Sequence, residues 1–352
     1  MEFLAGNRIR GTTAERPALG LPSGSVGGWV ELGRVTASVG EVTGLANKRY
    51  LMVLGHHIQG SGNSGLGLQF NGDTGSNYPR RYSGNGGTDA TPTTETNVFI
   101  DTNGSTVSGK EWFTTMYIAN KSDKEKLGIY HTVYNRNGLG AGQHPHRIEG
   151  VYKWTNTSNP ISSIKFSDFN GTAMNAASEV VVLGWDPTDT HTTNFWGELA
   201  SVDLSGGSAD VLDSGTFTAK KYLWVQAFME QDGGTISGVL NFNNDTGSNY
   251  ARRRSSNGAS DSTETAHTSI DVRGGETKNR FENLFIINNA SNEKLVIANM
   301  MVPTAGAGTA PDRTEYVAKW ANTSDQITSV KWTNGDAGSY GTSSIIKVWG
   351  SD

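Results

Sequence analysis

The chain has 352 residues, 35% of them hydrophobic and 18% charged, with a formal net charge of −5 and no cysteine. The lack of cysteine excludes disulfides and Cys-ligated zinc, and the mild acidity gives no electrostatic footprint for a polyanion. No apolar run approaches the roughly 20 residues that a membrane helix requires, so neither membrane nor direct nucleic-acid binding is expected.

The first eight residues, Met1-Glu2-Phe3-Leu4-Ala5-Gly6-Asn7-Arg8, carry an acid and no apolar h-region, which argues against a secretory signal. Asn-x-Ser/Thr triplets such as Asn156-Thr157-Ser158 then reflect only an Asn- and Thr-rich composition. Ala18 to Gly27 shows neither a strand nor a helix period, so residues 1–27 are expected to form an extended arm. Alone, the arm's few apolar side chains cannot offset roughly 1–2 kcal/mol of backbone entropy per ordered residue. Phe3 and Leu4 are expected to enter an apolar pocket of a neighbouring chain, with Arg8 and Arg10 paired to acids.

Beyond the arm, apolar runs of strand length follow one another: Tyr50 to Leu54, Gly67 to Phe70, Phe113 to Ile118, Leu127 to Val133, Val151 to Trp154, Ile161 to Phe166 and Val180 to Leu183. None sustains a helical period, and several alternate cleanly, as in Ile161-Ser162-Ser163-Ile164-Lys165-Phe166. With 45 glycines, well above the usual share of about 7%, the turns between them can take positive φ. The spacing predicts an all-β sandwich, jelly-roll-like.

That sandwich is predicted twice. Phe70-Asn71-Gly72-Asp73-Thr74-Gly75-Ser76-Asn77-Tyr78-Pro79-Arg80-Arg81 returns as Phe242-Asn243-Asn244-Asp245-Thr246-Gly247-Ser248-Asn249-Tyr250-Ala251-Arg252-Arg253, an offset of 242 − 70 = 172. Lys48 to Val53 matches Lys220 to Val225 at the same offset, and Arg147 to Trp154 matches Arg313 to Trp320 at 313 − 147 = 166. Val182-Leu183-Gly184 aligns with Val348-Trp349-Gly350, again 166 apart. Near-constant offsets with loop-sized changes mean duplication. The expected organisation is an arm over 1–27, modules over 28–184 and 196–352, and a short polar linker over 185–195. Such a linker limits the modules' separation without fixing their angle.

The doubled Asp-Thr-Gly also describes the active site of a pepsin-like aspartic protease, whose two carboxylates share one proton. Asp73 and Asp245 follow Asn-Gly and Asn-Asn rather than apolar residues, and nearby arginines hold carboxylates ionised. The plain alternative is a turn, with Gly75 or Gly247 at positive φ and the Asp and Asn side chains bonded to backbone amides. A third reading is a weak calcium loop through Asn71, Asp73 and Asn77 and through Asn243, Asp245 and Asn249, although Tyr82 and Arg254 stand where an EF-hand needs glutamate. Arg80, Arg81, Arg252, Arg253 and Arg254 are expected to pair with carboxylates within a module or between subunits rather than to bind phosphate. Gly60 to Gly65 matches a dinucleotide fingerprint in letters only, because a strand and not a helix follows. His56-His57 and His144-x-His146 are not repeated as pairs in the second copy, so no metal site is expected. Lys153-Trp154 and Lys319-Trp320 could serve carbohydrate or cation–π contacts, but their place in alternating strands favours core or interface packing. No catalytic residue and no cofactor is predicted.

Phe3-Leu4-Ala5-Gly6-Asn7-Arg8-Ile9-Arg10-Gly11-Thr12, the Asn-Asp-Thr-Gly-Ser-Asn-Tyr block and the closing Trp349-Gly350 together resemble a group of tailed-phage virion proteins of tail, head-fibre or minor structural type. The resemblance implies a virion location and an assembly role, with other virion proteins and copies of the chain itself as partners. A receptor- or glycan-binding fibre module is the alternative expectation.

Overall fold

Runs rich in β-branched and aromatic residues, cut by Gly and Asn, pair as strands because each alternating face can be buried while the turns cost little strain. The computed structural model describes residues 28–352 except 38–39, 61–64, 102–108, 136–137, 169–173, 188, 190–193, 272–273 and 304–305. The expected arm residues Phe3, Leu4, Arg8 and Arg10 lie outside the described residues.

The first half carries β1 (Val30–Thr36), β2 (Gly40–Val42), β3 (Tyr50–Ile58), β4 (Leu66–Phe70), β5 (Arg80–Gly84), β6 (Val98–Phe99), β7 (Glu111–Ala119), β8 (Lys126–Tyr134), β9 (His146–Trp154), β10 (Ile164–Asp168) and β11 (Glu179–Trp185). The second carries β12 (Gly197–Asp203), β13 (Val211–Asp213), β14 (Tyr222–Met229), β15 (Gln231–Asp232), β16 (Val239–Phe242), β17 (Tyr250–Ser256) and β18 (Ser262–His267). It continues with β19 (Ile270–Asp271), β20 (Arg280–Ile287), β21 (Lys294–Val302), β22 (Asp312–Trp320), β23 (Val330–Thr333), β24 (Ser339–Tyr340) and β25 (Ile345–Ser351). Among the described residues there is no helix.

Six of the seven apolar runs lie within strands, whereas of Ile161 to Phe166 only Ile164 to Phe166 does. The additional β1, β2, β5 and β6 are short or polar, and so carry little period for the sequence to show.

The larger sheet of the first half runs β1-β11-β3-β7-β8-β9-β5 and that of the second β12-β25-β14-β20-β21-β22-β17-β18. The smaller sheets run β2-β10-β4-β6 and β13-β23-β16-β19. Strand for strand these orders correspond, with β18 added at one edge and a two-stranded sheet of β15 and β24 added in the second copy, so the two copies are the same antiparallel β-sandwich. Each encloses its own core, around Phe70, Trp154 and Phe166 in the first and Phe242, Trp320 and Trp332 in the second.

The outer faces of the two large sheets also pack against each other. Leu54, Phe113, Val133 and Val181 of the first module form one apolar layer with Tyr222, Phe285, Leu295 and Ile297 of the second. Phe195, the last residue of the expected linker, and Trp196, the first of the second module, are buried in this layer. Apolar burial between the two sheets therefore fixes the relation of the modules.

Candidate functional site

Each repeated loop opens with two residues at positive φ: Asn71 and Gly72 at 52° and 66°, Asn243 and Asn244 at 52° and 56°. The following Asp amide donates to the Phe70 or Phe242 carbonyl, 2.9 Å in both. This corrects the sequence expectation, which placed positive φ at Gly75 or Gly247. Those glycines are needed for room instead. A Cβ on Gly75 would lie 2.8 Å from Asn77 Nδ2, and one on Gly247 2.8 Å from Asn249 Nδ2.

The aspartates are hubs of donors. Asp73 accepts from the Gly75 amide (2.8 Å), Asn77 Nδ2 (2.9 Å) and Trp154 Nε1 (2.7 Å). Asp245 accepts from the Gly247 amide (2.8 Å), Asn249 Nδ2 (2.8 Å) and Trp320 Nε1 (2.7 Å). The Tyr78 hydroxyl donates to the Asp73 carbonyl (2.8 Å) and receives the Phe70 amide (3.1 Å), and Tyr250 does the same for Asp245 and Phe242. These donors hold each carboxylate inside its own module.

Beneath each tryptophan lies a buried lysine that the sequence reading passed over. Lys126 Nζ sits 5.4 Å from the Trp154 ring centroid and Lys294 Nζ 5.7 Å from that of Trp320. Lys126 donates to the carbonyls of Ser122, Lys124 and Asn156, and Lys294 to those of Ala290, Asn292 and Asn322. The available signal was Glu125-Lys126-Leu127 recurring as Glu293-Lys294-Leu295.

Burial works against ionisation of Asp73 and Asp245, but the indole, amide and Asn donors outweigh it and hold both carboxyls below the ordinary 3.8. A proton-sharing dyad requires the opposite. Because the folded pKa is depressed, the stability these loops add is present above the unfolded value and lost as pH falls through the folded one. The Trp154 and Trp320 indole N–H resonances should therefore be constant above pH about 4 and move only in stronger acid. Titration near pH 5 or above would return proton-sharing chemistry to consideration. The calcium pattern does not converge either: Asn71 Oδ1 accepts the Ser162 and Ser163 amides, and Asn77 Oδ1 accepts the Thr155 hydroxyl.

Arg81, Arg252 and Arg253 meet carboxylates, whereas Arg80 departs from the expected carboxylate pairing and turns to a backbone carbonyl and aromatic rings. Arg80 donates to the Phe99 carbonyl at 2.7 Å and lies over the Tyr82 ring. Arg81 meets Asp89 at 3.3 Å, and Arg252 pairs with Glu264. Arg253 crosses to the first module, donating to the Pro145 carbonyl at 3.0 Å and meeting His144 Nδ1 at 3.1 Å. The histidines are scattered among separate partners: His56 meets Glu111 at 3.1 Å and His146 meets Asn85 at 2.8 Å. His57 stacks on Phe166, and its burial lowers its pKa to about 3.

The polar part of the inter-module contact centres on Asp261. Arg147 grips it with two parallel bonds, Nε at 3.0 Å and Nη2 at 2.8 Å, and Arg253 adds a third at 3.4 Å. Glu293 accepts from Asn135 Nδ2 at 2.8 Å and from Lys319 at 3.1 Å. Tyr222 donates to Glu179 at 2.7 Å.

No family model matches the chain. No curated protein matches it either. Among solved structures, it is similar to the LG1–3 region of the laminin α2 chain at 10% identity and a TM-score of 0.20, over 90% of this chain and 64% of that one. It is also similar to domains LG4–5 of the mouse laminin α1 chain at 8% identity and a TM-score of 0.17, over 92% of this chain and 91% of that one. Scores this low carry nothing about function.

Beside the contact, where the Tyr117 ring still stands 6.4 Å from that of Phe285, the first module's outer sheet stays open. A groove of about 800 Å³ runs over Trp29, Tyr50, Tyr117, Leu127, Ile129 and Val151. Ile129 is 62% and Leu127 56% exposed. Where the two sheets diverge, a second cleft of about 530 Å³ lies between Arg81, Asp89 and Glu149 on one side and Arg313 and Glu315 on the other.

Proposed function

We propose that the protein is a non-catalytic structural component of a virus particle, holding to its neighbours through its β-sandwich faces and its N-terminal arm. The observation that carries this reading is the apolar sheet face over Tyr50, Leu127, Ile129 and Val151, flanked by charged pairs. Contiguous exposed apolar surface of this kind marks an interaction site. The Asp-Thr-Gly loops support the same reading, because their carboxylates serve as staples between turn and core and leave no reactive group presented. The virion setting comes from the resemblance of the arm and the repeated block to tailed-phage structural proteins.

Mass spectrometry of purified particles should find the chain at structural stoichiometry, and particles without it would overturn the reading. Deleting residues 1–27 should abolish incorporation and leave thermal unfolding nearly unchanged. Normal occupancy by the truncated chain would show that the modules alone hold the contact.

A second reading, a glycan- or receptor-binding module, is favoured by one feature: a cleft of about 460 Å³ lined by Trp29, Trp185, Trp196, Trp224 and Trp349. Aromatic faces with a polar edge suit sugar rings. Binding to a glycan array that is lost in Trp185→Ala would support it, and no binding at any glycan would remove it.

A further inference from the structure

The open face of the first module is the repeat counterpart of a face that is already covered. In the second module, Tyr222, Phe285, Leu295, Ile297 and Val317 are buried against the first module. The offsets carry them onto Tyr50, Tyr117, Leu127, Ile129 and Val151, all exposed. The flanking ion pairs are duplicated as well. Arg253–Asp261 at 3.4 Å corresponds to Arg81–Asp89 at 3.3 Å, and Lys319–Glu293 at 3.1 Å to Lys153–Glu125 at 3.0 Å. The geometry is equal and the cover is not: Asp261 is 2% exposed and Asp89 49%.

The opposing face is duplicated too. Phe113, Val133 and Arg147 of the first module make the internal contact, and their counterparts Phe281, Met301 and Arg313 are exposed on the second. Each chain thus carries one used pair of complementary faces and one unused pair, whose edges at Asp89 and Arg313 stand on opposite walls of the cleft of about 530 Å³ without an ion pair between them among the described contacts. Building on the reading of the protein as an assembly component, we propose that a second copy of this chain docks its Phe281–Met301–Arg313 face onto the Tyr50–Leu127–Ile129–Val151 face of the first. Arg313 then takes Asp89 as Arg147 takes Asp261. Two counterparts are polar, Gln226 for Leu54 and Lys347 for Val181, so this contact buries less apolar surface than the internal one and forms reversibly. With one donor face and one acceptor face per chain, it either closes into a ring or runs on as a filament.

Sedimentation velocity of the full chain over a concentration series should show species at multiples of the monomer mass. Ile129→Glu, Asp89→Arg and Arg313→Glu should each weaken association at least tenfold. The double variant Asp89→Arg/Arg313→Glu should restore it, because the charge pair is re-formed with reversed sign. The three single changes lie on exposed side chains, so unchanged thermal unfolding verifies that folding is intact. A chain that is monomeric at every concentration overturns the proposal, as does a double variant that fails to recover. So does a monomer that associates only after residues 1–27 are removed, which would put the arm on that face. None of these results bears on whether particles contain the protein, and particles without it would leave self-association standing.

Discussion

Asp261→Asn is expected to lower the unfolding free energy by roughly 3–5 kcal/mol, the usual cost of breaking a buried ion pair from one side. The substitution leaves Arg147 and Arg253 in a nearly dry interface without the carboxylate that both share. Glu149 remains 2.8 Å from Arg147, which favours the lower end of that range. The matched control is Asp89→Asn, the same residue in the other copy with the same arginine partner. There both partners are about half exposed or more, and solvent-exposed pairs contribute about 0–1 kcal/mol. Urea unfolding of the two variants measures the difference directly. Because the modules share an apolar layer, Asp261→Asn should also loosen their coupling, so that one transition separates into two. Equal small losses in both variants would mean that the Arg147 contact contributes no cohesion between modules.

Lys294→Met is expected to cost about 2–4 kcal/mol. It removes the donor shared by three carbonyls, those of Ala290, Asn292 and Asn322, and each buried acceptor left unsatisfied costs about 1–3 kcal/mol. The new methyl thioether still packs on Trp320, which holds the total below the sum of the three.

The variant also has a pH signature. Burial, only partly countered by Glu111, Asp325 and Glu293, brings the folded Lys294 pKa down to about 8 from 10.5. Below pH 8 the lysine is charged in both states and its buried charge burdens the fold by a constant amount. Between pH 8 and 10.5 the unfolded chain keeps the proton longer, so native stability rises with pH. The stability gap between the native sequence and Lys294→Met should therefore widen across that window and be flat on either side. A gap independent of pH would show that the ammonium is as well solvated by its carbonyls as by water.

The strands, their antiparallel turns and the duplication were legible in the sequence, because each depends on neighbours close along the chain. Alternation in Ile161 to Phe166 and the Asn-Gly turn at Asn71-Gly72 are local facts, and a repeat is visible wherever identical local needs recur. The reading of Asp-Thr-Gly as a turn followed from its polar flanks. The exact residues at positive φ did not, since Gly75 and Gly247 are conformationally free in any extended listing of the chain. Their requirement for space appears only when Asn77 and Asn249 fold back over them. Lys126 and Lys294 look like solvated strand-end charges until the Asn156 and Asn322 carbonyls arrive from distant loops. The sequence could say least about the difference between the two copies. Asp89 and Asp261, Glu125 and Glu293, and Ile129 and Ile297 are pairwise the same residue at the same place in the same sandwich. Only the tertiary structure decides that one of each pair is buried and the other open, because burial is set by which sheet face is covered, and that is a relation between modules rather than a property of either.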